Sequence, residues 1–275
     1  MSAEGVTMRH TPRIVKVEKN KRETDEIFSL TVRDKACADA KPGQFAMIWI
    51  PGVDEIPMSI FPIDNETAMF VVKNVGEATQ ALVQKKIGDK IGVRGPYGTF
   101  FKPRRKGPAL LVGGGTGIVP LAFLMRKLSK TRTPTTLVIG ARTKSQLFFL
   151  NRTARTLHGK SKTIVTTDDG TRGVKGFASE IAVDLLEKDN YTAVFACGPE
   201  QMIRTLFDRC EQKRLPLQAS LERIMKCGIG ICGSCCIGEY RVCAEGPVFQ
   251  HAQLRDVADE LGRWTRDHSG KIVRF

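Results

Sequence analysis

No apolar run opens this chain. The first residues, MSAEGVTMRHTPR, lack the hydrophobic core of a secretory signal, and that absence points to the cytoplasm. Long uninterrupted hydrophobic runs are scarce too. Residues 108–125 carry no charge, yet they include Pro108, Pro120, Gly113, Gly114, Gly115 and Gly117. A membrane span with so many breakers would strand backbone polar groups in lipid, so the stretch reads as strand, turn and helix. Aromatic residues make up only 7% of the chain and do not interleave with the basic ones, so the stacking platform of a single-strand nucleic-acid binder is missing. No internal repeat or low-complexity segment occurs, and no acid–base pair suited to proton chemistry on a carbon substrate is evident.

Acidic charge is in short supply, with 29 Asp and Glu against 43 Lys and Arg and a net charge of +14. A charge of that size attracts polyanions, including nucleic acid, anionic lipid and phosphorylated cofactors. Its distribution argues against a nucleic-acid module. The basic residues are spread over Arg9–Arg22, the KPRRK run at 102–106, Arg126–Arg172 and Arg263–Arg274, which reads as solvated faces. With 275 residues, 41% of them hydrophobic, the chain can bury a sizeable core and fits two ordinary domains plus a small appendage.

The texture changes near residue 105. Before it, RIVKVEKN, EIFSLTVR, GQFAMIWI, MSIFPI, TAMFVVKNV and DKIGVRG are rich in β-branched and aromatic residues and are separated by turn residues. Six such strands predict a small antiparallel barrel over residues 1–104, with one helical insert at residues 78–86. After it, ALLVGGG, TTLVIGAR, KTIVTTDD and AVFACGP alternate with helical segments at Gly117–Ser129, Ser145–Leu157, Phe177–Glu187 and Glu200–Arg214. That rhythm predicts an α/β domain over 105–214 with a buried parallel sheet, whose ligands sit beyond the carboxyl ends of the strands. Residues 215–275 read as a cysteine- and glycine-rich module.

Five of the eight cysteines fall between Cys227 and Cys243. In a reducing compartment such clustering means metal ligation more often than disulfides. The spacing Cys227-x4-Cys232-x2-Cys235, followed by Cys243, is that of plant-type two-iron two-sulfur proteins. Gly228, Gly230, Gly233 and Gly238 allow a loop to wrap closely with its amides aimed at sulfur. Four cysteines also satisfy zinc, but zinc ribbons usually carry two CxxC knuckles and this run has one. Cys236 adjoins Cys235 and is assigned as a non-ligand.

ALLVGGGTGIVPL runs a strand into Gly113, Gly114, Gly115, Thr116 and Gly117 and then a helix, a shape that brings backbone to a pyrophosphate. It lacks the Lys-Ser/Thr of a P-loop and departs from GxGxxG, so alone it is as well explained by a tight turn. Three strand ends share the expected ligand edge: Gly140-Ala141-Arg142, Asp168-Asp169-Gly170 and Cys197-Gly198-Pro199. Taken singly, these are a surface cation, a turn and a small buried thiol. The barrel adds Pro57-Met58-Ser59 at the start of a strand, Gly76-Glu77-Ala78-Thr79 opening the helical insert, and Gly95-Pro96-Tyr97-Gly98 closing the domain.

Together these motifs resemble the ferredoxin reductase superfamily over nearly the whole chain. TTDDG, LERIMKCGIGICGSCCIG and VCAEGPVF narrow the resemblance to the electron-transfer subunits of dihydroorotate dehydrogenase B. The resemblance implies an FAD-binding barrel, an NAD-binding α/β domain and a 2Fe-2S module. It also implies a separate FMN-bearing subunit that oxidises dihydroorotate in pyrimidine biosynthesis, in a heterotetramer of two each. By that similarity Cys227, Cys232, Cys235 and Cys243 ligate the cluster, and Pro57, Met58 and Ser59 adjoin the flavin. Gly76–Thr79 cradle its diphosphate, with Gly95 nearby. NAD falls to Gly113–Gly117, Arg142, Asp168, Asp169, Cys197, Gly198 and Pro199, with Ser59 and Cys197 at the hydride-transfer centre. The chain departs from the family twice. Glu55 and Ile56 stand where an Arg usually precedes Pro-x-Ser, and the interval from Cys235 to Cys243 is short. Rival readings are an NAD(P)H oxidoreductase subunit serving ferredoxin, sulfur compounds or a hydrogenase, and a basic zinc protein that binds nucleic acid.

Overall fold

The computed structural model describes residues 10–103 and 107–275. The opening MSAEGVTMR, the Arg104-Arg105-Lys106 part of the basic run and the expected junction between 104 and 105 lie outside them.

Strands β1 (Arg13–Arg22), β2 (Ile27–Arg33), β3 (Phe45–Ile50), β4 (Asp54–Pro62), β5 (Thr67–Lys73) and β6 (Lys90–Tyr97) close into an antiparallel barrel in the order β1-β2-β5-β4-β3-β6. Closure leaves few strand edges free. Leu30, Val32, Ile48, Ile60, Phe70 and Val93 fill its interior. Two short helices, α1 (Lys35–Ala38) and α2 (Glu77–Val83), accompany it. Pro57-Met58-Ser59 does not begin a strand as expected but lies in the middle of β4. That strand pairs with β3 over Asp54–Ser59 and then with β5 over Ile60–Pro62. The change of partner at Ser59 leaves one edge of residues 54–59 unpaired, a position that tolerates Pro57.

The second layer is a seven-stranded sheet. Its strands are β7 (Ala109–Gly114), β8 (Thr135–Ala141), β9 (Lys162–Thr167), β10 (Val174–Lys175), β11 (Ala193–Cys197), β12 (Leu217–Ser220) and β15 (Val248–Gln250) in the order β10-β9-β8-β7-β11-β12-β15. All neighbours are parallel except β12 and β15. Helices α3 (Ile118–Lys130), α5 (Ala178–Lys188) and α6 (Glu200–Gln212) pack on it. The expected helix at Ser145–Leu157 is instead one tight turn at Lys144–Gln146 and a short α4 (Leu150–Ala154), with Phe149 between them at φ 65°. Phe148 and Phe149 are both buried, and Phe149 packs on Phe61 of the barrel at 5.6 Å between ring centroids. The left-handed conformation of Phe149, which aims its ring at Phe61, interrupts the helical dihedrals there.

The expected division after residue 214 runs inside this sheet, because β12 and β15 belong to it. Between them lie the cysteine loop and the hairpin β13 (Cys236–Ile237) and β14 (Tyr240–Arg241). After them come α7 (His251–Asp256) and the hairpin β16 (Trp264–Arg266) and β17 (Ile272–Arg274). Cys235, Cys243 and Phe249 share one buried cluster with Phe45 and Met47 of the barrel and Val112 and Ala196 of the sheet. One continuous core therefore sets the relative placement of all three parts. Among the described residues no helix is long and apolar enough to cross a membrane.

Candidate functional site

Two cavities meet where barrel and sheet face each other. The first, about 270 Å3, is lined by Pro57, Met58 and Ser59 from β4, Thr79 from α2, Thr116 after β7 and Cys197 at the end of β11. The second, about 540 Å3, lies over the carboxyl ends of the parallel strands and is lined by Gly114, Gly115, Arg142, Asp168 and Pro199. Segments far apart in the chain are thus brought to one cleft. Gly76, Glu77, Ala78, Gly95, Gly113, Gly117, Asp169 and Gly198 line neither cavity.

Gly117 and Gly198 serve close approach. A Cβ on Gly117 would overlap the carbonyl of Cys197, and one on Gly198 would stand 2.8 Å from the amide of Gly114. The glycine turn and the Cys197-Gly198-Pro199 turn are therefore pressed together backbone to backbone. Gly115 differs. It has φ +54° and a Cβ there would meet nothing within 4 Å, so its open side faces the second cavity. Asp169 accepts from the amide and hydroxyl of Thr171 at 3.0 and 2.7 Å and is occupied with its own turn. Asp168 lines the cavity, and burial raises its carboxyl pKa against the opposing pull of Arg142. The Thr79 hydroxyl accepts from the amides of Val75 and Gly76, each at 2.9 Å, and so shapes the turn that opens α2.

Two residues at this cleft escaped the sequence reading. Lys73, at the end of β5, lines both cavities, and its ammonium stands 3.5 Å from the Glu26 carboxylate. A cation in that position is available to a diphosphate, whereas the expected Arg position before Pro57 holds no cation. Glu55 there is gripped by Arg94 of β6 instead. Glu222 also lines the first cavity. Surrounding protein raises the pKa of its carboxyl, and burial keeps the nearby Cys197 thiol protonated. Motif spacing could not find Glu222, because it follows β12 by two residues and meets Cys197 only through the sheet.

The cysteines form two pairs. Cys227 and Cys232 interact through their side chains, and so do Cys235 and Cys243. The amides of Ile229 and Ile231 point at Cys227 Sγ at 3.5 and 3.4 Å, and that of Gly230 at Cys243 Sγ at 3.1 Å. Gly228, Gly230 and Gly233 have φ of 69°, 80° and 71°, which permits this wrapping. Against its partial burial, amides including those of Cys232, Ile229 and Ile231 bring the Cys227 thiol down to about 6. Its bond with Cys243 brings Cys235 down to about 6, and the same shared proton pushes Cys243 up. Cys232 is lowered by Ser234, while burial and the neighbouring Cys235 raise Cys236, which remains a thiol. Thiolates are what metal binding needs. Among the described residues no three His, Cys, Asp or Glu converge on a point that would hold one ion. Two pairs suit a cluster with two thiolates on each of two irons.

Comparison with known proteins bears on this geometry. Residues 222–255 match the iron-sulfur cluster binding domain of dihydroorotate dehydrogenase B, and residues 111–207 match the oxidoreductase NAD-binding domain. A Methanocaldococcus jannaschii protein described as a probable dihydroorotate dehydrogenase B (NAD(+)), electron transfer subunit, is 42% identical over 86% of this chain and 89% of its own length. A Thermoplasma volcanium protein of the same description is 40% identical over 95% of this chain and 98% of its own. The chain belongs to that family. Among solved structures, an NADH-dependent reduced ferredoxin-NADP oxidoreductase superposes with a TM-score of 0.78 at 28% identity, covering 90% of this chain and 94% of that one. The Amycolatopsis cytochrome P450 reductase GcoB, at 21% identity and a TM-score of 0.65, shares the fold. With the family come an iron-sulfur domain, an NAD-binding domain and a ferredoxin-reductase barrel, the frame for a 2Fe-2S cluster, NAD and FAD. The chain is an NAD-linked oxidoreductase subunit, and its partner is a catalytic subunit.

Proposed function

We propose that this chain relays electrons between NAD and a separate FMN-bearing subunit that oxidises dihydroorotate in pyrimidine biosynthesis, in a cytoplasmic heterotetramer of two each. One observation carries the reading. Ser59 from the barrel and Cys197 from the sheet line a single cavity, while the loop of paired thiols is packed onto the same barrel. When bound, FAD exchanges a hydride with NAD and single electrons with the cluster, the one cofactor suited to both.

The chain's own residues supply position and environment. Met58 and Ser59 would border a bound flavin in the first cavity, and the Ser59 hydroxyl could offer it a hydrogen bond. The turn shaped by Thr79, together with Lys73, receives diphosphate. The open face of Gly115 would let the dinucleotide's pyrophosphate approach, with Arg142 and Asp168 lining the same cavity. Cys197, buried and protonated, would offer a bound nicotinamide an uncharged wall, with Glu222 on the rim of the same cavity. Cys227, Cys232, Cys235 and Cys243 hold the cluster. Dihydroorotate needs an acid–base pair, which we assign to the partner.

Co-purification from the native host, with mass-spectrometric identification of what accompanies the chain, tests this. A dihydroorotate-oxidising flavoprotein is the expected partner, and the purified chain is expected to be yellow-brown. The 0.78 superposition favours a second reading, delivery of electrons to ferredoxin. Recovery of a ferredoxin-linked partner, a hydrogenase or none at all would replace the first reading.

A further inference from the structure

The loop that begins the cysteine motif is gripped from two sides by Arg–Glu pairs of unequal burial. Arg94 of β6 donates through Nε to Glu55 Oε1 at 2.7 Å and also pairs with it through Nη2. The same Nη2 reaches the carbonyl of Cys227 at 3.1 Å. The side chains of Arg94 and Glu55 are 10% and 23% exposed. On the other side Arg241, paired with Glu245, donates to the carbonyl of Gly230 at 2.6 Å, with its side chain 44% exposed. The buried grip is reinforced by packing. Met47 lies opposite Arg94 in the β3–β6 register, and a Cβ on Gly228 would stand 2.6 Å from Met47 Cγ. The first proposed ligand therefore rests directly on the flavin barrel.

We propose that Arg94 is a positioning residue that docks Cys227 onto the barrel and, as a largely buried cation held at the Cys227 carbonyl by Glu55, holds the cluster's reduction potential up. The inference rests on the proposed electron relay. Reduction adds negative charge to the cluster, which a nearby half-desolvated cation favours, whereas the exposed Arg241 is screened by water and salt. The shell around a metal site, hydrogen bonds and fixed charges included, controls its redox potential, and a partly desolvated cation within hydrogen-bond reach of a ligand's carbonyl is part of that shell. Glu55 therefore serves the cluster side of the barrel.

The test is an EPR-monitored redox titration of the purified, iron-loaded protein, with iron content and NADH bleaching of the flavin followed on the same sample. Arg94→Gln is expected to lower the cluster's reduction equilibrium constant about tenfold, a shift of about 59 mV to more negative potential for one electron. Bleaching of the flavin by NADH should change little. Arg241→Gln should shift the potential far less. The paired exchange Glu55→Arg with Arg94→Glu keeps an ion pair but turns a carboxylate toward Cys227, and it should lower the potential further. An unmoved potential in Arg94→Gln, or wild-type behaviour in the exchange, overturns the proposal. Should Arg94→Gln fail to hold iron, Arg94→Lys decides. One flexible ammonium replaces a gripped fork, so its potential must lie below the wild type's, and equality overturns the proposal. A wild-type protein that takes up no cluster overturns the functional reading and this proposal with it.

Discussion

The cysteine loop and the cleft between barrel and sheet are both candidate sites, yet they are built in opposite ways. All four proposed cluster ligands lie within Cys227–Cys243, and local backbone bends at three glycines are enough to turn amides onto sulfur. The cleft takes its lining from β4, β5, α2, the turn after β7 and the ends of β8, β9 and β11, segments that meet only once barrel and sheet have packed. A local site survives as a motif, whereas a dispersed one is a property of the whole fold. The first should fail all at once when one ligand is lost. The second should lose its functions piece by piece.

The sharpest break in that comparison is Cys232→Ser. Its thiol is exposed and is the first proposed ligand a solvent-borne change would reach. Serine's harder oxygen is a poorer ligand for iron-sulfur, so cluster content and coupling to dihydroorotate should be lost almost completely. NADH-dependent reduction of a flavin-accepting dye should persist in the same preparation. Loss of dye reduction at full FAD occupancy would show that the two sites are not separable.

Gly115→Val attacks only one half of the cleft. The residue has φ +54°, where a β-branched side chain is strained, and its open side faces the second cavity. NAD binding, measured by fluorescence titration, should weaken by more than about tenfold, as two or more kcal/mol of strain and overlap imply. FAD occupancy should stay near that of the wild type. Parallel loss of FAD would mean that the halves of the cleft are coupled after all.

Glu222→Gln probes the wall of the first cavity through stability rather than turnover. Protein packed around the carboxyl raises its pKa although the residue as a whole is exposed, so the folded state holds the proton to a somewhat higher pH than the unfolded chain, which releases it near pH 4.5. This contribution to stability is complete below that value and is lost as pH rises through the folded pKa. Thermal melts at stepped pH should therefore find the Gln variant gaining on the wild type as pH rises above 4.5. Melting temperatures that run parallel over that range would place the Glu222 carboxyl in bulk solvent.

The smallest effect is expected for Ser59→Ala. One hydroxyl hydrogen bond is worth about 1 kcal/mol, so flavin reduction by NADH in stopped flow should slow by about fivefold. Cluster content should be unaffected. An unchanged rate would leave Ser59 as the residue where β4 changes partner, and no more.

Much was legible before any coordinate. β-branched alternation announces six barrel strands, short apolar runs ending in glycine announce a parallel sheet, and cysteine spacing announces the cluster. These are signals of periods two and about 3.6 and of ligand spacing, written in neighbouring residues. The misreadings come from contacts distant in sequence. Phe149 breaks a helix because Phe61, on another layer, receives its ring. β12, only four residues with Gln218 in its middle, becomes a strand because β11 and β15 flank it. Lys73, Glu222 and Arg94 acquire roles from what packing sets beside them: both cavities, Cys197 and the Cys227 carbonyl. Sequence by itself determined which segments become strands and which thiols stand together, because those depend on local conformational preference and spacing. Tertiary structure alone decided which charges face the cleft and the cluster, because electrostatic and hydrogen-bonding partners are chosen by distance in space, and the burial that gives them their strength exists only in the packed molecule.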